Sequence, residues 1–143
     1  MGWLRGELDT VQLPADLPKG VCHRDSNPTN FLYENGEISA VLDFDQAGFT
    51  WLLFDVAQMI YWWAWPNKGN IELNKARDLV TRYELVRKLH NVEREHLFDA
   101  LKMVHLVGIG WFLSSDSFSN DKRRVVDLNV LGRDEFYKAL FEL

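Results

Sequence analysis

Apolar and polar positions along the chain change period several times, and each change marks an element. Trp3, Leu4 and Leu8 fall on one side of a short helix over residues 1–10. Pro14, Pro18 and Gly20 then predict an extended linker, since proline disfavours helix at its own position and at the one before. A short strand or turn follows at Val21 to His23. Asn35-Gly36 between two apolar runs predicts a tight hairpin, because both residues tolerate positive φ. Its strands run from Asn30 to Glu34 and from Glu37 to Phe44. Beyond it the pattern turns helical. Trp51 to Trp65 reads as one apolar helix, closed by Pro66, Asn67 and Gly69. Leu79, Tyr83, Val86 and His90 share a face within 71–90, as do Leu97, Leu101, Val104, Gly108 and Phe112 within 92–114. Asn70 and Asn91 are candidate N-caps. Ser114 to Asp121 reads as a loop, and Arg133 to Leu143 as a last amphipathic helix. The expected class is α+β, mainly α, with one small hairpin, in a single domain over 1–143.

Composition narrows this picture. The chain has 143 residues, 47% hydrophobic and 13% aromatic, enough for a folded core. No apolar run reaches the ~20 residues that a membrane-spanning helix needs, so no membrane partner is expected. No secretion signal is read at the N-terminus. One cysteine, Cys22, cannot form an internal disulfide, which fits a cytoplasmic location. Residues 1–70 carry nine acids against four bases, while 71–143 carry twelve of each. The net charge of −5 therefore sits in the first half, where no basic patch exists to hold nucleic acid. A solvated acidic face would explain that cluster; so would a metal site.

The candidate chemistry lies in His23-Arg24-Asp25-Ser26-Asn27-Pro28-Thr29-Asn30 and, after the hairpin, Asp43-Phe44-Asp45. A two-residue turn at Asn35-Gly36 would pair Asn30 with Val41. Asp43 then becomes a diagonal neighbour of Asn30, about 7–8 Å away at the backbone. One cation with ~2.1 Å oxygen ligands can bridge that gap, with Asp25 beside it on the proline-containing loop. Such a set suits Mg²⁺-assisted phosphoryl transfer.

These residues resemble the paired loops of the aminoglycoside phosphotransferase and choline-kinase-like family, which has the protein-kinase-like fold. The family pattern is His-x-Asp-x-x-x-x-Asn, an apolar hairpin, Ile-Asp-[Phe/Trp]-[Asp/Glu/Gly]-x-Ala-Gly and then Asp-[Leu/Val/Ile]-Ala, here Asp55-Val56-Ala57. The match spans about residues 20–65. Three features separate the chain from protein kinases: Asn27 where a lysine is usual, Asp43-Phe44-Asp45 in place of Asp-Phe-Gly, and no later Ala-Pro-Glu. The resemblance implies that Asp25 is the catalytic base and that Asn30 and Asp43 bind Mg²⁺ on the phosphates of ATP or GTP, with Asp45 a further candidate. It also implies that His23 and Asp55 support the loop. No cofactor is required for folding. Arg24 departs from the family pattern and has no assigned chemistry beyond pairing with a nearby acid. Substrate-binding residues are not indicated, and the charge-balanced helical part gives an aminoglycoside acceptor no particular support over choline, homoserine or a sugar.

Each residue also has a plainer explanation. A lone histidine is more often structural than catalytic, Asp25 alone could be a turn residue, and Asp55 a buried cap. Trp62, Trp63 and Trp65 are expected in core or interface. His90, His96 and His105 lack metal-ligand spacing. A dehalogenase-type phosphatase reading of Asp43-Phe44-Asp45 expects threonine or valine at position 47, where Ala47 stands. The segment before Val21 is too short and too poor in glycine for a nucleotide-clamping lobe. The chain is therefore expected to be a C-terminal lobe only: 1–20 helix and linker, 21–48 catalytic and metal loops, 49–143 helical subdomain. A weakly active kinase lobe and a non-catalytic association module both follow. The surface left by a missing lobe predicts a homodimer, beside a small hydroxyl substrate as the other partner.

Overall fold

Leu53, Val56, Ala57 and Ile60 recur at helical spacing, and all four are buried in a helix that ends where Pro66 forbids continuation. The computed structural model describes residues 2–111 and 116–142, of which 111 and 116–118 are described by backbone alone. In chain order the elements are α1 (Gly2–Leu8), β1 (Lys19–Cys22), β2 (Phe31–Glu34), β3 (Glu37–Val41), β4 (Gly48–Trp51), α2 (Leu53–Trp63), α3 (Leu73–Val86), α4 (Asn91–Trp111), α5 (Asp116–Leu131) and α6 (Arg133–Phe141). The chain is mainly helical, with two small antiparallel sheets, β1–β4 and β2–β3. Helix α4 packs against α2, α5 and α6, and α3 packs against α2 and α6. Leu97, Ala100, Leu101 and Val104 of α4 meet the α2 face, Ala76 and Val80 of α3, and Phe136 and Leu140 of α6 in one core. Among the described residues no helix is long and apolar enough to cross a membrane.

Several expected boundaries move. The single helix from Trp51 to Trp65 begins only at Leu53, because Gly48–Trp51 is drawn into a strand against β1, with Val21 opposite Phe49. Ser114 to Asp121 is not a loop from Asp116 onward. Its polar Asp121 is buried on a partner from another helix, and residues 112–115, with the expected face residue Phe112, lie outside the described residues. Helix α3 starts at Leu73, past the proposed cap Asn70, and stops at Val86 because Arg87 turns extended to reach Glu93. Val86 is thus exposed, and His90 lies beyond the helix. Asn91 is the first residue of α4 itself. His90 precedes it and accepts from the N–H groups of Glu93 and Arg94, while Glu93 reaches back to the His90 N–H. The bonds to His90 go to its backbone carbonyl, so only the returning Glu93 carboxylate matches a capping box.

Candidate active site

The loop between β1 and β2 is held by the helix that follows β4. Asp55, in the first turn of α2, accepts hydrogen bonds from the backbone N–H of His23 at 2.8 Å and of Arg24 at 2.9 Å. Those bonds hold Arg24 in the left-handed region, at φ 66°, a conformation few non-glycine residues adopt. The Arg24 side chain reaches over Gly48, and among the described residues it has no acid partner, contrary to expectation. Cys22, directly before His23, is buried between β1 and β4. Burial, with the Asp55 carboxylate adding to it, pushes its thiol up to about 11, so the thiol stays protonated and unreactive.

His23 ties two loops together. Its Nδ1 accepts the Asp25 N–H at 3.3 Å, which leaves Nε2 to donate to the Leu42 carbonyl at 2.8 Å. Phe44 packs edge-on against the same imidazole, with centroids 4.6 Å apart. Asp43 lies between these two contacts, exposed and left-handed at φ 60°. Asp45 sits on the exposed turn closed by the Ala47 N–H on the Phe44 carbonyl.

Asn30 is buried at the end of a 3-10 turn over Pro28–Asn30. Its Nδ2 donates both to the Asp25 carbonyl, at 3.0 Å, and to Asp25 Oδ2, at 2.9 Å. The hairpin register differs from the regular one by a bulge. Glu34 faces Glu37 and Tyr33 faces Ile38, but Leu32 faces Ala40 and Phe31 faces Val41. The extra residue, Ser39, shifts the ladder by one, so Asn30 accepts from the N–H of Leu42 and not opposite Val41. Strand β3 ends at Val41, short of the expected Phe44.

With both Nδ2 hydrogens spent on Asp25, the Asn30 amide leaves its oxygen free for a cation. Among the described residues no three His, Cys, Asp or Glu side chains converge on a metal position, so Asp25, Asp43 and Asp45 do not form an acidic cage. One amide oxygen and one exposed carboxylate fit Mg²⁺ all the same, since it keeps waters and phosphate oxygens as its other ligands. Sequence reasoning missed Trp63, whose Nε1 donates to the Ser26 carbonyl at 2.9 Å. No spacing rule links an indole to a loop 37 residues earlier.

Against known proteins, a sequence model of the phosphotransferase enzyme family matches residues 4–95. The homoserine kinase of Rhodospirillum rubrum is 35% identical over 92 residues, 63% of this chain and 29% of that protein. That of Xanthobacter autotrophicus is 33% identical over 96 residues, 66% of this chain and 30% of the relative. That of Gluconacetobacter diazotrophicus is 34% identical over 102 residues, 66% and 32%. The matched region is thus about a third of the length of these relatives.

Proposed function

This chain belongs to the phosphotransferase enzyme family, and we propose that it carries the catalytic and metal loops of a small-molecule kinase, as the C-terminal lobe of that fold in a single domain. The carrying observation is the double hydrogen bond from Asn30 to Asp25, set beside the His23 bridge to the strand end that leads into Asp43. Asp25 Oδ2 is occupied by Asn30, and its other carboxylate oxygen is the proton acceptor. A substrate hydroxyl gives its proton to that oxygen as its own oxygen bonds to the γ-phosphorus of ATP, and the bond from that phosphorus to the β-phosphate oxygen breaks, releasing ADP. Asn30 Oδ1 and Asp43 would hold Mg²⁺, which neutralises phosphate charge; Asp45 is a further ligand candidate. His23 and Asp55 keep the loop in place. The relatives' names point to the hydroxyl of homoserine as acceptor, ahead of an aminoglycoside.

The test is titration of the isotopically labelled chain with Mn²⁺ and ADP, read by nuclear magnetic resonance. Line broadening is expected at Asn30 and residues 43–45, and Asp43→Asn removes it. Broadening elsewhere, or none, overturns the assignment. A second reading, a non-catalytic association module, is favoured by the exposed apolar pair Val21 and Phe49. It stands if no Mn²⁺ is bound while the chain self-associates.

A further inference from the structure

Helix α2 reaches the Asp25 loop at two points. Asp55 holds the backbone ahead of Asp25, as described above. At the other end, Trp63, the last residue of the helix, donates its indole N–H to the carbonyl of Ser26, directly after Asp25. The same ring meets Phe31 edge-on, with centroids 5.8 Å apart and planes at 74°. Phe31 directly follows Asn30. One side chain therefore touches the chain immediately beyond each of the two residues whose mutual hydrogen bonds define the site.

Among the described side chains, no other combines a hydrogen bond to the Ser26 carbonyl with an aromatic contact to Phe31. Ser26 is buried and its own Oγ has no partner, so the loop is gripped there through its carbonyl. The turn that follows is braced only locally, by Asn27 Oδ1 accepting from the N–H and hydroxyl of Thr29. The neighbouring tryptophans are used differently. Trp62 donates to Gln58 of its own helix, and Trp65 is buried in the core, donating to the Gly69 carbonyl. Trp63 is half-buried, and its polar atom is spent on the loop.

We propose that Trp63 is a positioning residue that fixes the distance and orientation between Asp25 and Asn30. Phenylalanine can keep the ring contact with Phe31 but not the bond to Ser26, which is left a buried carbonyl without its donor. The loop then gains freedom at the residue after Asp25, and the Asn30-to-Asp25 bonds open more often. The proposal rests on Asp25 and Asn30 being the transfer site, but the contact itself is metal-independent.

The experiment compares Trp63→Phe with Trp62→Phe, which removes an indole N–H from the same helix without touching the loop. Hydrogen exchange of the Asn30 side-chain amide should rise roughly fivefold in Trp63→Phe, the change one hydrogen bond supports. The Asp25 carboxyl carbon signal should move, and Mn²⁺ broadening at Asn30 should need about fivefold more metal. Trp62→Phe should change none of these. Asn30 exchange unchanged in a folded Trp63→Phe overturns the proposal. Should that variant not fold, the wild-type indole N–H of Trp63 decides: protection like that of the Asn30 amide supports the clamp, and exchange at the rate of free indole refutes it. Wild-type Asn30 untouched by Mn²⁺ would instead defeat the phosphotransfer reading and leave the clamp intact.

Discussion

Two residues in the site hold backbone that costs energy. Arg24 and Asp43 both have positive φ, and for a non-glycine residue that conformation is unfavourable, less so for aspartate than for arginine. The Asp55 carboxylate offsets this at Arg24 by taking two N–H groups. Asp55→Ala should remove that anchor and cost about 1–3 kcal/mol of local stability. The measure is amide exchange, which should accelerate at His23 and Arg24 well before the core exchanges. At Asp43 the strain has no such carboxylate brace among the described residues, so the two roles separate. Asp43→Gly should leave thermal stability unchanged or raise it by about 0.5–1 kcal/mol, while abolishing Mn²⁺ binding. A loss of both would mean that Asp43 is there for the fold. The motif residues were legible in the sequence because their types and spacing sit in one short stretch. Trp63 was not, since its partner is distant in the chain and near only after α2 packs.

Between elements, polar groups are buried in pairs that no single helix reveals. Glu93, fully buried at the start of α4, accepts two bonds from Arg87 at 2.8 and 2.9 Å as well as the His90 N–H. Removing Glu93 leaves a partly exposed Arg87 and the His90 N–H without their acceptor, so Glu93→Ala should lower unfolding free energy by about 1.5–3 kcal/mol in urea titration. Helices α4 and α5 meet at a second pair, His105 Nδ1 with Asp121 Oδ1 at 2.9 Å. The approach is close: a Cβ on Gly108 would lie 3.1 Å from Asp121 Oδ2, so that carboxylate would have to give slightly to admit a side chain there. Arg124 and Tyr61 also face this site, Tyr61 donating to Asp121 at 3.5 Å and Arg124 stacking on Tyr61 and Trp65. Burial drives the His105 imidazole below its ordinary range; Asp121 opposes that shift, and Arg124 and Arg123 add to it. The unfolded chain then takes up a proton that the folded chain refuses. Stability should be full above pH ~6.5 and fall as pH drops below it, by at most about 1.4 kcal/mol per pH unit from this group. Chemical denaturation between pH 7.5 and 5 checks this, and the slope should shrink in His105→Gln. The reading of Ser114 to Asp121 as a loop failed from Asp116 onward for the same reason: the polar Asp121 has a buried partner on another helix.

Over the whole molecule, exposed apolar residues are scattered on the helices, as at Val86 and Val130, and also form a group in the strands and loops around the site. Val21 and Phe49 form a cross-strand pair at 78% and 73% exposure, and Phe44 is 60% exposed. Leu32, Tyr33 and Ile38 of the hairpin are exposed too. The expected homodimer would cover this surface, and the same segments carry five carboxylates (Asp25, Glu34, Glu37, Asp43 and Asp45) against the bases Lys19 and Arg24, an acidic excess that would repel a like copy. Light scattering should therefore show a dimer that tightens as salt screens that repulsion, and Phe49→Asp should leave monomer. A monomer at every salt concentration would sink the idea. Local pattern was enough for what depends on near neighbours: the Asn35-Gly36 turn, confirmed at φ 52° and 84°, the apolar stripes of α2 and α4, and the motif itself. Packing decided the rest. Strand β4 exists because β1 is there to pair with it, the bulge at Ser39 sets which residue faces Asn30, and the Trp63 end of the α2 grip joins groups 37 residues apart. Those are long-range contacts, whose energies depend on where other elements lie and so leave no periodicity in the chain.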